Sequence, residues 1–380
     1  YGNARKVVYI ESDVTFEALA RQQMLVHGEH AMLAMVHALG TLFSDHIRDR
    51  VDGFPIPFYY GPPGTGKDQV VKCNQRFWGK PQTAIRLPAA NTAPAMVNVF
   101  AELRNNSLYG TEWSSALKDH IHTFCMGCWD GEGRKRGERI QAGRSKFSTE
   151  DVPIRCTLSM SGNEYPNFLD QLLDRLVVSE MARLELTTEQ RANFRVLEAM
   201  NEKGFSHTLT SIVSHREAFV GTWFNVHYQR ASEMVSLALQ DNFISERMRK
   251  NICILLATHL FFADKLKWPF TPDMLLAYLT RTMTAQQKRR LGGDEVSGFW
   301  TCFIAGVNSR ELVRDKHFEL RDADETVAFY WLDVFGVYME HHRRVFGTPG
   351  KRDILNKLKQ HNCFIPGKNK EAHEGYRIGE

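Results

Sequence analysis

The sequence predicts an α/β fold with a mostly parallel sheet, because short apolar runs alternate with helical patterns and a glycine-rich loop follows the first run. The first candidate strand is Ile56–Tyr60, and others lie at 84–87, around Leu108 and at 154–161. Helical patterns fill the intervals at about 67–78, 94–104 and 113–128. Strands that alternate with helices favour a parallel sheet covered on both faces.

Helices are expected on both sides of this alternating core, which we place at 51–186. Apolar side chains at helical spacing predict an N-terminal helical segment over residues 1–50. Thr187 and Gln190 have the spacing of a capping box, and the amphipathic stretches after them predict a helical domain at 187–345. A short helix and two candidate strands at 346–380 are compatible with a winged-helix module.

Composition excludes two classes of protein. The seven cysteines of this 380-residue chain are irregularly spaced, which argues against a secreted disulfide framework and favours a reducing, cytoplasmic location. The longest apolar stretch, Ile252 to Ala263, is too short to span a bilayer, so no membrane partner is expected. The chain begins with Tyr1 rather than Met, and we expect it to be a piece of a larger protein.

The glycine-rich loop has the pattern that binds nucleotide phosphates. Glycines let backbone N–H groups close around phosphate oxygens, and the following helix adds the positive end of its dipole. The lysine supplies a charge to the β- and γ-phosphates. ATP with Mg²⁺ is therefore the predicted ligand, bound by Gly61, Pro62, Pro63, Gly64, Thr65, Gly66, Lys67, Asp68 and Gln69.

Two positions depart from the usual pattern of metal ligands. The residue after Lys67 is normally Ser or Thr, whose hydroxyl holds Mg²⁺, but here it is Asp68. The acidic block on the next strand offers Glu112 to activate water, preceded by Thr111 where an Asp is usual. We therefore expect Asp68, Thr111 and Glu112 at the metal. In this arrangement the carboxylate of Asp68 takes the place of the usual hydroxyl, and the hydroxyl of Thr111 takes the place of the usual carboxylate. The alternative for Glu112 is an exposed acid at a strand end.

Two further residues are candidates for catalysis. Asn163 follows the predicted strand at 154–161 and can orient water against the γ-phosphate. Arg175 is placed like an arginine that reaches the nucleotide of a neighbouring subunit, where it would neutralise charge in the transition state. Arg175 could equally be a surface salt-bridge partner.

A basic loop lies between the acidic block and Asn163. Residues 134–146 contain six basic side chains and one acidic side chain, Glu138. Loops of this kind suit a nucleic-acid backbone. A solvated loop is the alternative. The basic residues are Arg134, Lys135, Arg136, Arg139, Arg144 and Lys146.

With these residues identified, the chain resembles the ATPase part of primase-helicase proteins from Bacteroides-type mobile elements and phages, which are AAA+-like motors related to superfamily 3 helicases. The likeness covers about 54–181 and extends more faintly to the C-terminus. It rests on the order of Phe54-Pro-Ile-Pro-Phe58, the phosphate loop, Trp129-Asp-Gly-Glu-Gly-Arg134 and Ser161-Gly-Asn-Glu-Tyr-Pro166. The family's acidic block usually reads Asp-Glu-Tyr, whereas this chain has Thr-Glu-Trp.

The resemblance implies a P-loop AAA+-like core and gives Lys67, Glu112, Asn163 and Arg175 the roles described above. It also implies that the partner is DNA, in single-stranded form, and that the protein assembles into a homo-oligomeric ring such as a hexamer. A primase domain upstream belongs to the same expectation. Two other functions stay open: an ATP-binding switch or loader ring with little hydrolysis, and a P-loop nucleotide kinase, since some of these also carry Asp after the lysine.

Overall fold

The computed structural model describes most of the chain, in two compact units, Tyr1–Gln287 and Lys288–Glu380. The division into four segments expected from the sequence stays a prediction. The residues described are 4–89, 93–114, 116–137, 149–166, 170–183, 187–240, 244–292, 295–321, 326–346, 355, 358–359, 364–365 and 375–377.

Seven strands are described in the first unit, and five of them form one parallel sheet. The sheet has the order β2-β3-β6-β1-β7. β4 and β5 pair as an antiparallel hairpin, where the sequence predicted a loop. The strands are β1 (Ile56–Tyr60), β2 (Ile85–Arg86), β3 (Ser107–Trp113), β4 (Arg134–Gly137), β5 (Thr149–Val152), β6 (Thr157–Gly162) and β7 (Leu176–Glu180).

The inner strands are largely buried because a parallel sheet is covered on both faces. Every residue of β6 is buried, and so are the first four of β1 and of β7. The predicted fold class, α/β with a P-loop AAA+-like parallel sheet, is confirmed. β7 was not among the strands predicted from the sequence.

Thirteen helices are described in this unit, and the last continues past its boundary. They are α1 (Phe16–His27), α2 (Glu29–Thr41), α3 (Ser44–Val51), α4 (Lys67–Gln75), α5 (Ala93–Glu102), α6 (Asp119–Asp130), α7 (Asp170–Leu173), α8 (Thr188–Lys203), α9 (His207–Val213), α10 (Arg216–Thr222), α11 (Gln229–Ala238), α12 (Glu246–Phe262) and α13 (Pro272–Gly292). A π-helical segment, Trp223–Tyr228, joins α10 to α11. Among the described helices of the chain, none is long and apolar enough to cross a membrane.

The N-terminal helices share one apolar core with the sheet and the later helices. α2 is buried from Ala31 to Thr41, and α12 packs against it. α8 packs on α1 and begins with the predicted capping box, in which Thr187 Oγ1 accepts from the Gln190 N–H at 3.1 Å.

The described residues of the second unit include helices and an antiparallel sheet of order β10-β11-β9-β8. Its core is rich in aromatic side chains, among them Phe299, Phe318 and Tyr338. The two strands expected near the C-terminus pair with each other, Phe364 opposite Tyr376. The elements are α14 (Glu295–Asn308), β8 (Phe318–Arg321), β9 (Thr326–Phe329), α15 (Trp331–Phe346), β10 (Phe364–Ile365) and β11 (Gly375–Arg377).

Candidate nucleotide-binding site

A cleft of about 600 Å³ opens where the loops after β1, β3 and β6 meet. These strands are parallel neighbours, so their carboxyl ends lie at the same edge of the sheet. After β1 the chain continues to β2, β3 and β6, which all lie on one side of β1 in the sheet. β7 then lies on the other side of β1. Open α/β sheets bind ligands at such a switch point, outside the carboxyl ends of the strands.

The phosphate loop forms one wall of the cleft. Gly64 and Gly66 both have a φ of 84°, a left-handed conformation that favours glycine. Helix α4 begins directly afterwards at Lys67, and no side chain caps its N-terminus. The first N–H groups of α4 are therefore available to an anion, as the chemistry of phosphate binding requires.

Lys67 and Asn163 lie together although the sequence separates them by almost a hundred residues. The Nζ of Lys67 donates to Asn163 Oδ1 at 2.8 Å and to the Pro62 carbonyl oxygen at 3.0 Å, and it also donates to the Gly61 carbonyl. Partial burial lowers the pKa of Lys67, and the charge of Asp68 opposes this shift. The arrangement keeps the ammonium group at the end of the loop.

Asp68 is hydrogen-bonded to the sheet through two residues that the sequence analysis did not identify. The hydroxyl of Tyr109 on β3 donates to Asp68 Oδ1 at 2.5 Å. It is also hydrogen-bonded to Ser161 Oγ on β6, at 2.7 Å. Both residues are inner positions of predicted strands, but their pairing depends on the order of the strands, which the sequence does not show. Burial, with the bond to Asp68, raises the pKa of Tyr109 well above its usual value.

Glu112 projects from a distorted part of β3. Its φ is 60°, and the register with β6 shifts between Gly110 and Trp113. The carboxylate accepts two hydrogen bonds on Oε1 from Arg86, at 2.8 and 3.1 Å. Both side chains are exposed, and the carboxylate raises the pKa of Arg86. Arg86 is a third site residue that the sequence analysis did not identify.

Thr111 also lines the cleft, together with Asp68 and Glu112. Its side chain is mostly buried, and the hydroxyl lies 3.5 Å from the Ile85 carbonyl oxygen. Carboxylate and hydroxyl oxygens are the ligands that Mg²⁺ takes in proteins, and it keeps part of its coordination for phosphates and water. The oxygens around the loop therefore fit Mg²⁺ bound to a nucleotide. The exchange of ligands between Asp68 and Thr111 stays a prediction.

Arg175 lies at the opposite edge of the sheet, directly before β7. Its guanidinium carbon is 5.7 Å from the centre of the Trp129 ring, and Nη1 donates to the Gln171 carbonyl at 2.6 Å. Asp130 Oδ2 lies 4.0 Å from Nη2. Burial lowers the pKa of Arg175, and neighbouring Arg247 lowers it further. Arg175 is therefore outside the cleft of its own chain, and its action on a neighbouring subunit stays a prediction.

The Trp129 to Gly133 segment ends α6 and begins the β4–β5 hairpin. Trp129 is buried, and its Nε1 donates to Asn251 on α12 at 2.8 Å. Gly131 ends α6 with a φ of 82°. A Cβ atom on Gly133 would lie 1.6 Å from the Val152 carbonyl oxygen. The glycines of this motif are thus required by the geometry of the turn.

The predicted nucleic-acid residues belong to this hairpin. Arg134, Lys135 and Arg136 lie on β4, whose backbone pairs with β5. Arg139, Arg144 and Lys146 lie outside the described residues. Contact between these residues and nucleic acid stays a prediction.

Comparison with known proteins shows the fold. No protein-family model matches the chain, and no curated protein does. Among solved structures, the chain is similar to the active helicase Cch of SCCmec type IV, with 13% identity, a TM-score of 0.64 and coverage of 96% of this chain and 70% of that one. A candidate ATPase from Cytophaga hutchinsonii aligns at 12% identity over 71% of this chain and 90% of its own, but its TM-score is only 0.36. The first similarity shows that this chain shares the fold of a helicase.

Proposed function

We propose that the chain is the motor of an ATP-dependent DNA helicase or translocase. The observation that carries this proposal is the contact between Lys67 and Asn163 at 2.8 Å, at the end of a glycine-rich loop that opens a helix. A phosphate-binding lysine and a polar group that can orient water thereby face the same cleft. The shared fold with a helicase supports the choice of a motor.

In this proposal each group of the cleft has one task. Lys67 and the N–H groups of the loop bind the β- and γ-phosphates. Asp68 and Thr111 hold Mg²⁺, which neutralises charge on the phosphates when it is bound. Glu112 accepts a proton from the attacking water, and Asn163 orients that water. Lys67 exchanges its carbonyl partners for phosphate oxygens when ATP binds.

Glu112 has to leave Arg86 before it can act as a base. Two hydrogen bonds from Arg86 occupy Oε1 of Glu112, an oxygen that would have to accept the proton of the attacking water. The Arg86–Glu112 pair therefore belongs to a resting state of the cleft, in which Glu112 is not available as a base and ATP hydrolysis is slow. The same pair favours the second candidate function, an ATP-binding switch or loader ring with little hydrolysis.

The partner we propose is single-stranded DNA, bound by the basic residues of the β4–β5 hairpin. Their charges would neutralise phosphates, so binding should weaken steeply with salt. We further propose a homo-oligomeric ring, in which Arg175 reaches the nucleotide of the adjacent subunit. Replication of a mobile element or phage, with a primase domain upstream, is the process that the family resemblance suggests.

Phosphate release from ATP in the presence of single-stranded DNA tests this proposal. Wild-type protein should release phosphate, and Lys67→Ala should lower the rate by about a hundredfold or more, because the charge that stabilises the transferred phosphate is removed. Lys80→Ala, which removes an exposed lysine outside the cleft, is the matched control and should leave the rate unchanged. Tight ATP binding without phosphate release would contradict the motor and support the switch.

A further inference from the structure

The environment of Asp68 differs on its two carboxylate oxygens. Oδ1 accepts the hydrogen bond from Tyr109, whose side chain is fully buried in the sheet. Oδ2 lies 3.9 Å from Lys72 Nζ, too far for a hydrogen bond. The side chain as a whole is 55% exposed and lines the cleft. Oδ1 is thus hydrogen-bonded to the sheet, while Oδ2 has the longer ion-pair contact with Lys72.

The directions of the hydrogen bonds among Ser161, Tyr109 and Asp68 follow from the number of protons that each side chain can donate. A phenol has one proton, and Tyr109 gives it to the carboxylate, which can only accept. The contact between Tyr109 and Ser161 must therefore have Ser161 as its donor. The Ser161 hydroxyl then donates to Tyr109, and the Tyr109 hydroxyl donates to Asp68, so these two hydrogen bonds hold the carboxylate without adding a positive charge.

A neutral donor is the kind of partner that a metal-binding carboxylate needs. A hydroxyl fixes the rotamer of the ligand without the repulsion that a charged donor at Oδ1 would exert on the cation, and Lys72 Nζ lies 3.9 Å from the other oxygen, Oδ2. Tyr109 and Ser161 lie on adjacent inner strands, and both side chains are buried, so the support comes from the interior of the sheet. Pre-organisation of this kind lowers the entropy that is lost when the carboxylate binds a metal.

We infer that Tyr109 is a positioning residue that holds Asp68 as the carboxylate ligand of the nucleotide-bound divalent cation. Ser161 supports Tyr109 in this task. The inference rests on the proposed function, because it takes the cleft to be a nucleotide site. The competing explanation is structural: Asp68 and Tyr109 would only anchor the start of α4 to the sheet.

Binding of Mn²⁺, as a probe for Mg²⁺, separates the two explanations. The affinity of the full-length chain for Mn²⁺ at saturating ADP is measured by electron paramagnetic resonance of the free ion. Tyr109→Phe keeps the ring and removes the hydroxyl, and it should weaken Mn²⁺ binding by about tenfold, since a hydrogen bond to a charged group is lost. Asp68→Ala should weaken it at least as much. ADP binding in EDTA should be the same in wild type and Tyr109→Phe.

The double variant shows whether Tyr109 acts through Asp68. With Asp68→Ala in place, Tyr109→Phe should have no further effect on Mn²⁺ affinity, because the side chain that it positions is absent. Equal weakening by Tyr109→Phe in both backgrounds, or loss of ADP binding in EDTA, would establish the structural explanation and overturn the inference. Mn²⁺ affinity unchanged in Asp68→Ala would overturn it as well. Wild-type protein that binds ADP no better than Lys67→Ala would contradict the proposed function itself.

Discussion

At the scale of single residues, the ion pair between Arg86 and Glu112 is the contact that most directly bears on the proposed hydrolysis of ATP. In this pair Arg86 of β2 binds Glu112 of the neighbouring strand β3, and Glu112 is the only acidic residue of β3 that the sequence offers as a base. Glu112 also adopts a left-handed φ of 60°, which is uncommon outside glycine and asparagine. A pair that is exposed to solvent is weak enough to open during a catalytic cycle.

Replacement of Arg86 by Ala should therefore raise ATP turnover severalfold in the absence of DNA, because Glu112 becomes free to accept a proton. Initial rates of phosphate release measure this effect. Arg104→Ala is a suitable control, since Arg104 is exposed and pairs with Asp45 outside the cleft. A fall in turnover in Arg86→Ala would show instead that Arg86 contributes to catalysis or nucleotide binding.

The backbone of the phosphate loop gives a second prediction at this scale. A Cβ atom on Gly66 would meet nothing within 4 Å, so only its φ of 84° resists a side chain. Gly66→Ala should cost about 1–2 kcal/mol of unfolding free energy and should weaken ATP binding. Gly221→Ala is the matched control, because Gly221 also has open space but lies in α10, where Ala should stabilise by up to about 1 kcal/mol. Equal effects of the two changes on urea unfolding would refute this explanation.

At the scale of elements, periodicity predicted the core strands and the helix after the phosphate loop, but not all of their limits. The helix expected at 67–78 ends at Gln75 and continues as a 3₁₀ turn, Arg76–Trp78. β3 extends to Trp113, so the helix expected at 113–128 starts only at Asp119. Such limits depend on packing between elements, which a local pattern does not contain.

The contacts within the site were predictable to different degrees. Lys67 and Asn163 both follow predicted parallel strands, and for that reason their proximity could be expected. Arg86 and Tyr109 could not be identified in this way, because their roles depend on β2 lying beside β3 and on β3 lying beside β6. Arg175 and Trp129 likewise meet through an interaction between distant parts of the chain.

The β4–β5 hairpin is the element whose prediction is easiest to test. Gly133→Ala places a Cβ against the Val152 carbonyl and should displace the start of β4. Binding of single-stranded DNA, measured by fluorescence anisotropy over a range of salt concentrations, should weaken. The slope of log affinity against log salt should decrease by about 0.7 for each DNA phosphate that the hairpin no longer neutralises. Gly336→Ala, where α15 has open space, should leave the slope as it is; an unchanged slope in Gly133→Ala would argue against DNA binding by the hairpin.

At the scale of the whole molecule, the large apolar core also determines how stability depends on pH. His27, His37 and His259 are buried in the first unit. Burial lowers the pKa of His27 and His259 to about 4 and that of His37 to about 3, from 6.5. The folded protein therefore keeps these side chains neutral, whereas the unfolded chain takes up protons below pH 6.5. Their contribution to stability is complete above pH 6.5 and is lost as the pH falls towards 4.

The unfolding free energy should decrease by up to about 4 kcal/mol per pH unit between pH 6 and pH 4, since each histidine contributes at most about 1.4 kcal/mol per unit. Urea unfolding at a series of pH values measures this slope. His259→Leu should reduce the slope by up to about 1.4 kcal/mol per pH unit, independently of the change in unfolding free energy that it causes at pH 7. A free energy that stays constant from pH 6.5 to pH 4.5 would contradict the burial of neutral histidines.

The central claim is that this fold converts ATP hydrolysis into movement along DNA. Displacement of streptavidin from biotin-labelled single-stranded DNA tests it most directly, because it detects translocation whether or not duplex DNA is also unwound. We expect ATP to accelerate displacement by the wild-type protein and to have no effect with Lys67→Ala. ATP hydrolysis that leaves streptavidin on the DNA at its spontaneous rate would contradict the claim and favour a loader or switch.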